Sequence, residues 1–106
     1  VTSGQKEKIP ELCQMAELGE IYGRRVKHLS HSSQKFVELI RAVIQLPYII
    51  LIDDADSFFD EINLLKMHRI CNYAIDNGTT LLVSSKRKLE NFDLYFRVQN
   101  KELAQI

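Results

Sequence analysis

The sequence lacks an excess of either charge, because 14 basic residues balance 14 acidic residues among its 106 positions. This balance gives no overall attraction to nucleic acid or to an anionic membrane surface. A long apolar run is also missing, since the longest, 46–52, is far too short to cross a bilayer. The N-terminus has neither the charged start nor the apolar stretch of a signal peptide. We therefore expect a soluble, cytoplasmic chain with no nucleic-acid partner.

Cysteine pairs are missing as well. Cys13 and Cys71 stand alone in predicted helices, without the spacing that binds zinc or carries redox chemistry. We expect two reduced, structural thiols, as is usual in the cytosol. With 106 residues, 45% of them hydrophobic, the chain has the composition of one modest globular domain or of a piece of a larger one.

Two helices are predicted in the first half of the chain. "PELCQMAELGEIY" begins with Pro10, which suits a first helical turn, and stops at Gly19. "SQKFVELIRAVIQL" repeats apolar residues at helical spacing. Ser30, Ser32 and Ser33 can all cap this second helix, and a proline, Pro47, ends it because proline cannot continue the hydrogen-bond pattern.

The second half predicts a strand, a helix and a strand. "YIILI" and "TTLLVSS" are continuously apolar and branched, which favours central strands of a parallel sheet with helices on both faces. The helix between them has a candidate cap at Asp60 and a left-handed stop at Asn77 and Gly78. Its apolar face comprises Ile62, Leu65, Ile70, Tyr73 and Ala74. A right-handed crossover and an α/β fold follow.

Other segments give less definite predictions. "KRKLENFD" is expected to be a loop or a short helix, and "LYFRVQNKELAQI" to supply edge strands or a closing helix. Aromatic side chains beside strands and helices, such as Tyr48 and Phe59, are expected in the core. Two basic clusters, at 24–28 and at 86–88, are interpreted as solvated surfaces, because no aromatic residues alternate with them as in a single-strand-binding groove.

Carboxylates follow the first strand directly, in "IILIDDADSFFD". Ligands of α/β folds bind beyond the carboxyl ends of the strands, so the location favours function. For Asp60 a simple capping role is an equal alternative. Asp53 calls for a partner, such as a metal or a hydrogen-bond donor, because it follows four aliphatic residues predicted to be buried.

The segment "LSHSSQKFVELIRAVIQLPYIILIDDADSFFD" resembles the signature-to-D-loop segment of ATP-binding cassette (ABC) ATPases, LSGGQxQRxxxARAxxxxPxxLLLDEPxxxLD, without a gap. The resemblance extends over roughly residues 9 to 100. It implies a mainly parallel, P-loop NTPase-like fold in a single partial domain spanning 1–106. Residues 9–46 would form the signature-helix part of the helical subdomain, and 47–106 the core part with the Walker B strand, D-loop and switch strand.

The resemblance also implies roles for individual residues. Asp53 takes the Walker B position that holds Mg²⁺, and Asp60 takes the D-loop position. Asp54 stands where a glutamate usually polarises the attacking water, but its side chain is shorter by about 1.5 Å. Ser85 stands at the position of the switch histidine, and Ala55 and Asp56 replace the usual Pro-Thr pair.

The signature segment departs from the family pattern. Ser30 matches the signature serine, while His31 and Ser32 replace the two glycines and Ser33 replaces the glutamine. These four residues would contact ATP, although side chains now occupy the space where glycine lets backbone N–H groups approach phosphate. A protonated His31 would attract phosphate, but a histidine in this setting is more often a solvated loop residue. The phosphate-binding loop G-x-x-x-x-G-K-[ST] is absent, so the chain is either the C-terminal part of a cassette or a derivative that lost that half.

These features together predict the C-terminal part of an ABC-type ATP-binding domain, most consistent with a membrane transporter. ATP and Mg²⁺ would bind in the full-length domain, with weak or degenerate hydrolysis. A second ABC domain and a transmembrane transporter subunit would be its partners, and the chain would lie at the cytoplasmic face of the membrane. One alternative is a non-catalytic regulatory or interaction module with the same fold. Another is a DNA-repair-type ABC ATPase, which the neutral charge and the absence of coiled-coil heptads disfavour.

Overall fold

The computed structural model describes residues 3–18 and 30–106. Its helices are α1 (Ser3–Met15), α2 (His31–Ile44) and α3 (Glu61–Asp76). Its strands are β1 (Ile49–Ile52), β2 (Thr80–Val83), β3 (Phe96–Gln99) and β4 (Glu102–Gln105), and a 3₁₀ turn, Ala55–Ser57, lies between β1 and α3. The chain is a small α/β domain, as the sequence predicts. The expected helix stop at Gly19, the basic cluster 24–28 and the signature leucine, Leu29, lie outside the described residues.

Helix α1 begins earlier than the sequence predicts. It starts at Ser3, and Pro10 lies in its interior rather than in its first turn. The added turns contact α2, because Nε2 of Gln5 donates to the carbonyl oxygen of Ile44 at 3.0 Å. Carbonyls in the last turn of a helix have no partner within that helix, so this bond ties the start of α1 to the end of α2. Later in α1, Leu12 is fully buried.

The end of α1 also differs from the prediction. Glu17 adopts a left-handed conformation with φ 59°. Its N–H donates to the Gln14 carbonyl at 3.0 Å, and the Leu18 N–H donates to the Cys13 carbonyl at 2.8 Å. These two bonds form a Schellman motif, which ends helices most often with glycine. Within the described residues the helix therefore stops before Gly19.

Helices α2 and α3 have the caps that the sequence predicts. Ser30 caps α2 and Asp60 caps α3. Gly78 has φ 99°, which confirms the left-handed stop after α3. The apolar face of α3 is partly different from the predicted one, because Ile62 and Leu65 are 67% and 54% exposed. The buried residues of this helix are Met67, Ile70, Cys71 and Ala74.

The three helices and one face of the first sheet enclose the core. Strands β1 and β2 pair in parallel, with Ile52 opposite Val83. Ile50 is buried, whereas Ile49, Leu51 and Leu82 are 57%, 70% and 58% exposed. The prediction of a central strand with helices on both faces is therefore wrong for the described residues, since they supply a covering layer on one face alone.

The C-terminal segment forms a second, separate sheet. Strands β3 and β4 pair antiparallel as a hairpin, with Val98 opposite Leu103. Both strands are exposed along their whole length. The segment therefore supplies strands, one of the two predicted possibilities, but they pair with each other rather than at an edge of β1–β2. The residues before them, 84–95, contain no helix or strand.

The aromatic predictions have mixed outcomes. Phe59 is buried, and its ring stacks on Phe36 of α2 with centroids 4.7 Å apart. Lys35 lies over the ring of Phe58 at 5.1 Å. The beginning of α2 therefore packs against the segment that follows residues 53–57, which we call the acidic turn. Tyr48 is 93% exposed, so its predicted place in the core is wrong.

Candidate functional site

The carboxyl edge of the parallel sheet brings two distant polar residues together. Because Ile52 pairs with Val83, the next residues, Asp53 and Ser84, leave the strands side by side. The Ser84 hydroxyl donates to Oδ1 of Asp53 at 2.5 Å and accepts the N–H of Asp54 at 2.7 Å. The Asp53 carboxylate is exposed at this edge. Asp53 thus has a hydrogen-bond donor, one of the two kinds of partner predicted for it, although its exposed position does not require one.

Backbone bonds of the same serine fix this arrangement. The Ser84 N–H donates to the carbonyl of Ile52 at 2.9 Å, and the Ala55 N–H donates to the carbonyl of Ser84 at 2.9 Å. Ser84 therefore makes four hydrogen bonds to the chain that leaves β1. It connects the end of one strand with the turn after the other.

Asp54 lies in a left-handed conformation, with φ 53° and ψ 50°. Aspartate tolerates this region better than most residues, because its short polar side chain can bond locally. Oδ2 of Asp54 accepts the hydroxyl of Ser57 at 2.5 Å, inside the 3₁₀ turn. One carboxylate oxygen of the predicted general base is therefore held by the turn that follows it.

Ser85, the predicted switch residue, has a different partner. Its hydroxyl donates to the carbonyl oxygen of Arg87, two residues further along. In the described part of the chain, the serine that contacts Asp53 and Asp54 is Ser84. Sequence reasoning missed Ser84, because the choice between two adjacent serines depends on the register of β2 against β1, which sets Asp53 opposite Ser84.

Asp56 joins the acidic turn to the loop after β2. Its carboxylate accepts the N–H of Lys86 with both oxygens, each at 3.2 Å, and the N–H of Arg87 at 3.3 Å. Burial raises the pKa of Asp56. Hydrogen bonds from the backbone amides of Lys86, Arg87 and Asp56 lower it, as does the positive charge of Arg87, and together they exceed the effect of burial. The pKa of Asp56 is thereby lowered below its ordinary value of 3.8.

The signature serines lie at the start of α2. The Ser30 hydroxyl accepts the N–H of Ser33 at 3.2 Å and donates to the Ser33 hydroxyl at 2.9 Å. His31 is exposed, and Ser32 is half-buried. Ser30 is thus the cap among the three candidate serines. Within the described part of the chain, no hydrogen bond joins these four residues to Asp53, Asp54 or Ser84.

Asp60 has the capping role that was one of its two interpretations. Its Oδ1 accepts the N–H of Asn63 at 2.8 Å, and the side chain is exposed. An aspartate at this position satisfies an unpaired N–H and complements the positive end of the helix dipole. A role in a dimer interface stays a prediction.

The basic cluster 86–88 makes local contacts. Nη1 of Arg87 lies 3.2 Å from Oε1 of Glu61, and Nζ of Lys88 lies 4.4 Å from the ring centre of Tyr95. Both cations are on the surface, which agrees with a solvated cluster. The cysteines also agree with expectation: Cys13 and Cys71 are both free.

The donor set at the strand end fits Mg²⁺. This ion usually takes one or two protein carboxylates and keeps several waters, so it needs no closed cage of ligands. Asp53 offers an exposed carboxylate, and no described residue donates to its Oδ2. Across residues 3–18 and 30–106, no group of three or more His, Cys, Asp or Glu side chains is arranged to hold a metal. Asp53 could therefore hold Mg²⁺ only if most of the ligands of the ion came from outside these residues.

Comparison with known proteins identifies no relative: the chain matches no protein-family model and no curated protein sequence. None of the described helices has the length and apolar character needed to cross a membrane.

Proposed function

We propose that the chain is the C-terminal part of an ABC-type ATP-binding domain, contributing to Mg-ATP binding and dimerisation with weak hydrolysis. The observation that carries the proposal is the contact of Ser84 with Asp53 and Asp54 at the carboxyl edge of two parallel strands. α/β folds bind their ligands at this edge. The ordered resemblance from the signature to the D-loop, stated above, supplies the identity of the ligand.

Asp53 and Asp54 would have different roles in the site. The exposed Asp53 carboxylate would hold Mg²⁺, mainly through water, and Ser84 would orient that carboxylate through Oδ1. Bound Mg²⁺ would neutralise charge on the β- and γ-phosphates. Asp54 would accept a proton from the attacking water, for which a base must lie within about 2.6–3.2 Å of the proton donor. Its shorter side chain and its bond to Ser57 support weak hydrolysis.

The start of α2 would contribute to the nucleotide site of a partner domain. Ser30 occupies the cap, and the packing of Phe36 on Phe59 joins this helix to the acidic turn. The exposed apolar face of β1–β2 supports a partial domain, because further strands or helices of the same cassette would cover Ile49, Leu51 and Leu82. A transporter subunit would be the membrane partner, which would bring the chain to the cytoplasmic face of the membrane.

Mg-ATP turnover by the full-length protein tests the proposal. We expect tight binding but slow turnover, and loss of binding in Asp53→Ala. Asp54→Glu adds the missing methylene, so it should raise turnover by roughly tenfold or more, which is part of the ~10²–10⁴-fold that general base catalysis contributes. Asp54→Asn is the matched control and should abolish the residual turnover while retaining binding.

Two results would contradict the proposal in different ways. Brisk turnover that Asp53→Ala abolishes, and that needs no partner, would exclude the degenerate site. A folded full-length protein that binds no Mg-ATP in a calorimetric titration would favour the non-catalytic interaction module. Salt-dependent retention on DNA would instead favour a DNA-repair-type ATPase.

A further inference from the structure

Asp56 connects the acidic turn with the loop after β2, in addition to the contacts of Ser84. We call residues 84–88 the switch loop. Both carboxylate oxygens of Asp56 accept the N–H of Lys86, and Oδ2 also accepts the N–H of Arg87. Two successive N–H groups that converge on one anion form a backbone nest. Here an internal carboxylate occupies the nest.

Among the described residues, the other hydrogen bonds and ion pairs of residues 85–88 do not join this part of the switch loop to the acidic turn. The hydroxyl of Ser85 bonds within the loop, to the carbonyl of Arg87. Arg87 pairs with Glu61 of α3, but the two side chains are 49% and 83% exposed, and such surface pairs contribute little. Asp56 is thus the described residue that holds the chain beyond Ser84 against the turn that contains Asp54.

Ser84 is held by its backbone bonds to Ile52 and Ala55, and the chain on each side of it has a separate attachment. Pairing of β2 with β1 holds the chain before it. The chain after Ser84 does not pair with a strand. Its hydrogen bonds to Asp56 hold it instead. Loss of these bonds would release the chain after Ser84, and it would thereby loosen the contacts of the Ser84 hydroxyl with Asp53 and the Asp54 amide.

We propose that Asp56 is a positioning residue that holds the Ser84 hydroxyl on Asp53 and on the Asp54 amide, and so prepares the Mg-ATP site. The second part rests on the proposed function. The lowered pKa of Asp56 is consistent with a carboxylate that stays ionised while it accepts these N–H groups. Asp56 stands where the family pattern has threonine, so its carboxylate bonds to the Lys86 and Arg87 amides are a feature of the present chain.

Amide hydrogen exchange, followed by NMR, tests the positioning directly. In Asp56→Ala we expect exchange to accelerate roughly tenfold at the amides of Asp54 and Ala55, which bond to Ser84. Asp56→Asn should largely restore protection, because its amide oxygen can take the place of Oδ2, which accepts both loop amides. Glu61→Gln, which weakens only the surface pair, is the control and should leave Asp54 and Ala55 unchanged.

An amide in the middle of α3, that of Ile70, reports global stability in the same samples. Unchanged exchange at Asp54 and Ala55 in Asp56→Ala would overturn the proposal. Equal acceleration at Ile70 would overturn it too, because the effect would then be general destabilisation. Acceleration confined to the turn and the switch loop, with rescue by Asp56→Asn, would support it.

Calorimetric titration of Mg-ATP into the full-length protein separates this inference from the proposed function. We expect roughly tenfold weaker binding in Asp56→Ala and near-normal binding in Asp56→Asn. If the natural protein binds no Mg-ATP, the proposed function fails and the exchange data alone decide whether Asp56 positions Ser84. If the natural protein binds Mg-ATP but the exchange rate of the Asp54 amide is the same in Asp56→Ala, the positioning role fails and the proposed function stands.

Discussion

Replacement of Ser84 by alanine tests the centre of the candidate site. The change removes one oxygen that donates to Asp53 at 2.5 Å and accepts from the Asp54 amide at 2.7 Å. The backbone bonds of Ser84 to Ile52 and Ala55 do not need the side chain, so the strands should stay paired. The variant therefore isolates the contribution of the hydroxyl.

The expected loss of stability follows from these two bonds. A hydrogen bond to a charged group contributes about 1.5–3 kcal/mol, and a neutral one about 0.5–1.5 kcal/mol. Both partners lie near solvent, where water replaces part of each bond, so we expect a combined loss of about 1–2 kcal/mol. With a urea m value of about 2 kcal/mol/M, in the middle of the usual range for small proteins, the unfolding midpoint should fall by roughly 0.5–1 M.

Urea unfolding, followed by circular dichroism, measures this shift. Ser85→Ala is the matched control, because its hydroxyl bonds only to a nearby carbonyl, and it should cost about 0.5 kcal/mol or less. The m value should not change in either variant. A Ser84→Ala midpoint equal to the natural one, or a larger effect from Ser85→Ala, would refute the assignment of Ser84 as the central residue.

Two further predictions concern a helix cap and a buried thiol. Ser30→Ala should lower the free energy of unfolding by about 1 kcal/mol, because it removes the cap of α2, whereas Ser32→Ala should cost a few tenths at most. Equal effects in urea unfolding would argue against Ser30 as the cap. Burial raises the pKa of Cys71 to about 12, so in the folded protein iodoacetamide should modify it at least roughly a hundredfold more slowly than Cys13. Mass spectrometry gives both rates; similar native rates would contradict the buried position, and denaturation should remove the difference.

Much of the fold could be predicted because its signals are local. The caps Ser30 and Asp60 each bond three residues ahead, and Gly78 occupies a conformation that suits glycine. The helical spacing of apolar residues likewise predicts α2, and the run of branched residues predicts β1. The beginning of α1 could not be predicted, because its bond to α2, from Gln5 to Ile44, joins residues 39 positions apart and leaves no local pattern.

The candidate site could be predicted only in part. Asp53 and Asp54 follow a recognisable strand, so the acidic edge was expected. Ser84 was not chosen over Ser85, because a choice between adjacent serines depends on the register of β2 against β1, and that register is set by pairing across the sheet. The bonds of Asp56 to the switch loop join residues 30 and 31 positions apart and leave no local pattern.

By itself, the sequence determined the helix caps, the strand cores and the acidic cluster, since each depends on residues within a few positions of one another. Tertiary structure alone decided which face of β1 is covered and which serine meets Asp53. The physical reason is that both outcomes depend on how separate elements pack and pair. An apolar strand such as "IILI" can be buried on one face or on two, and only its neighbours determine which.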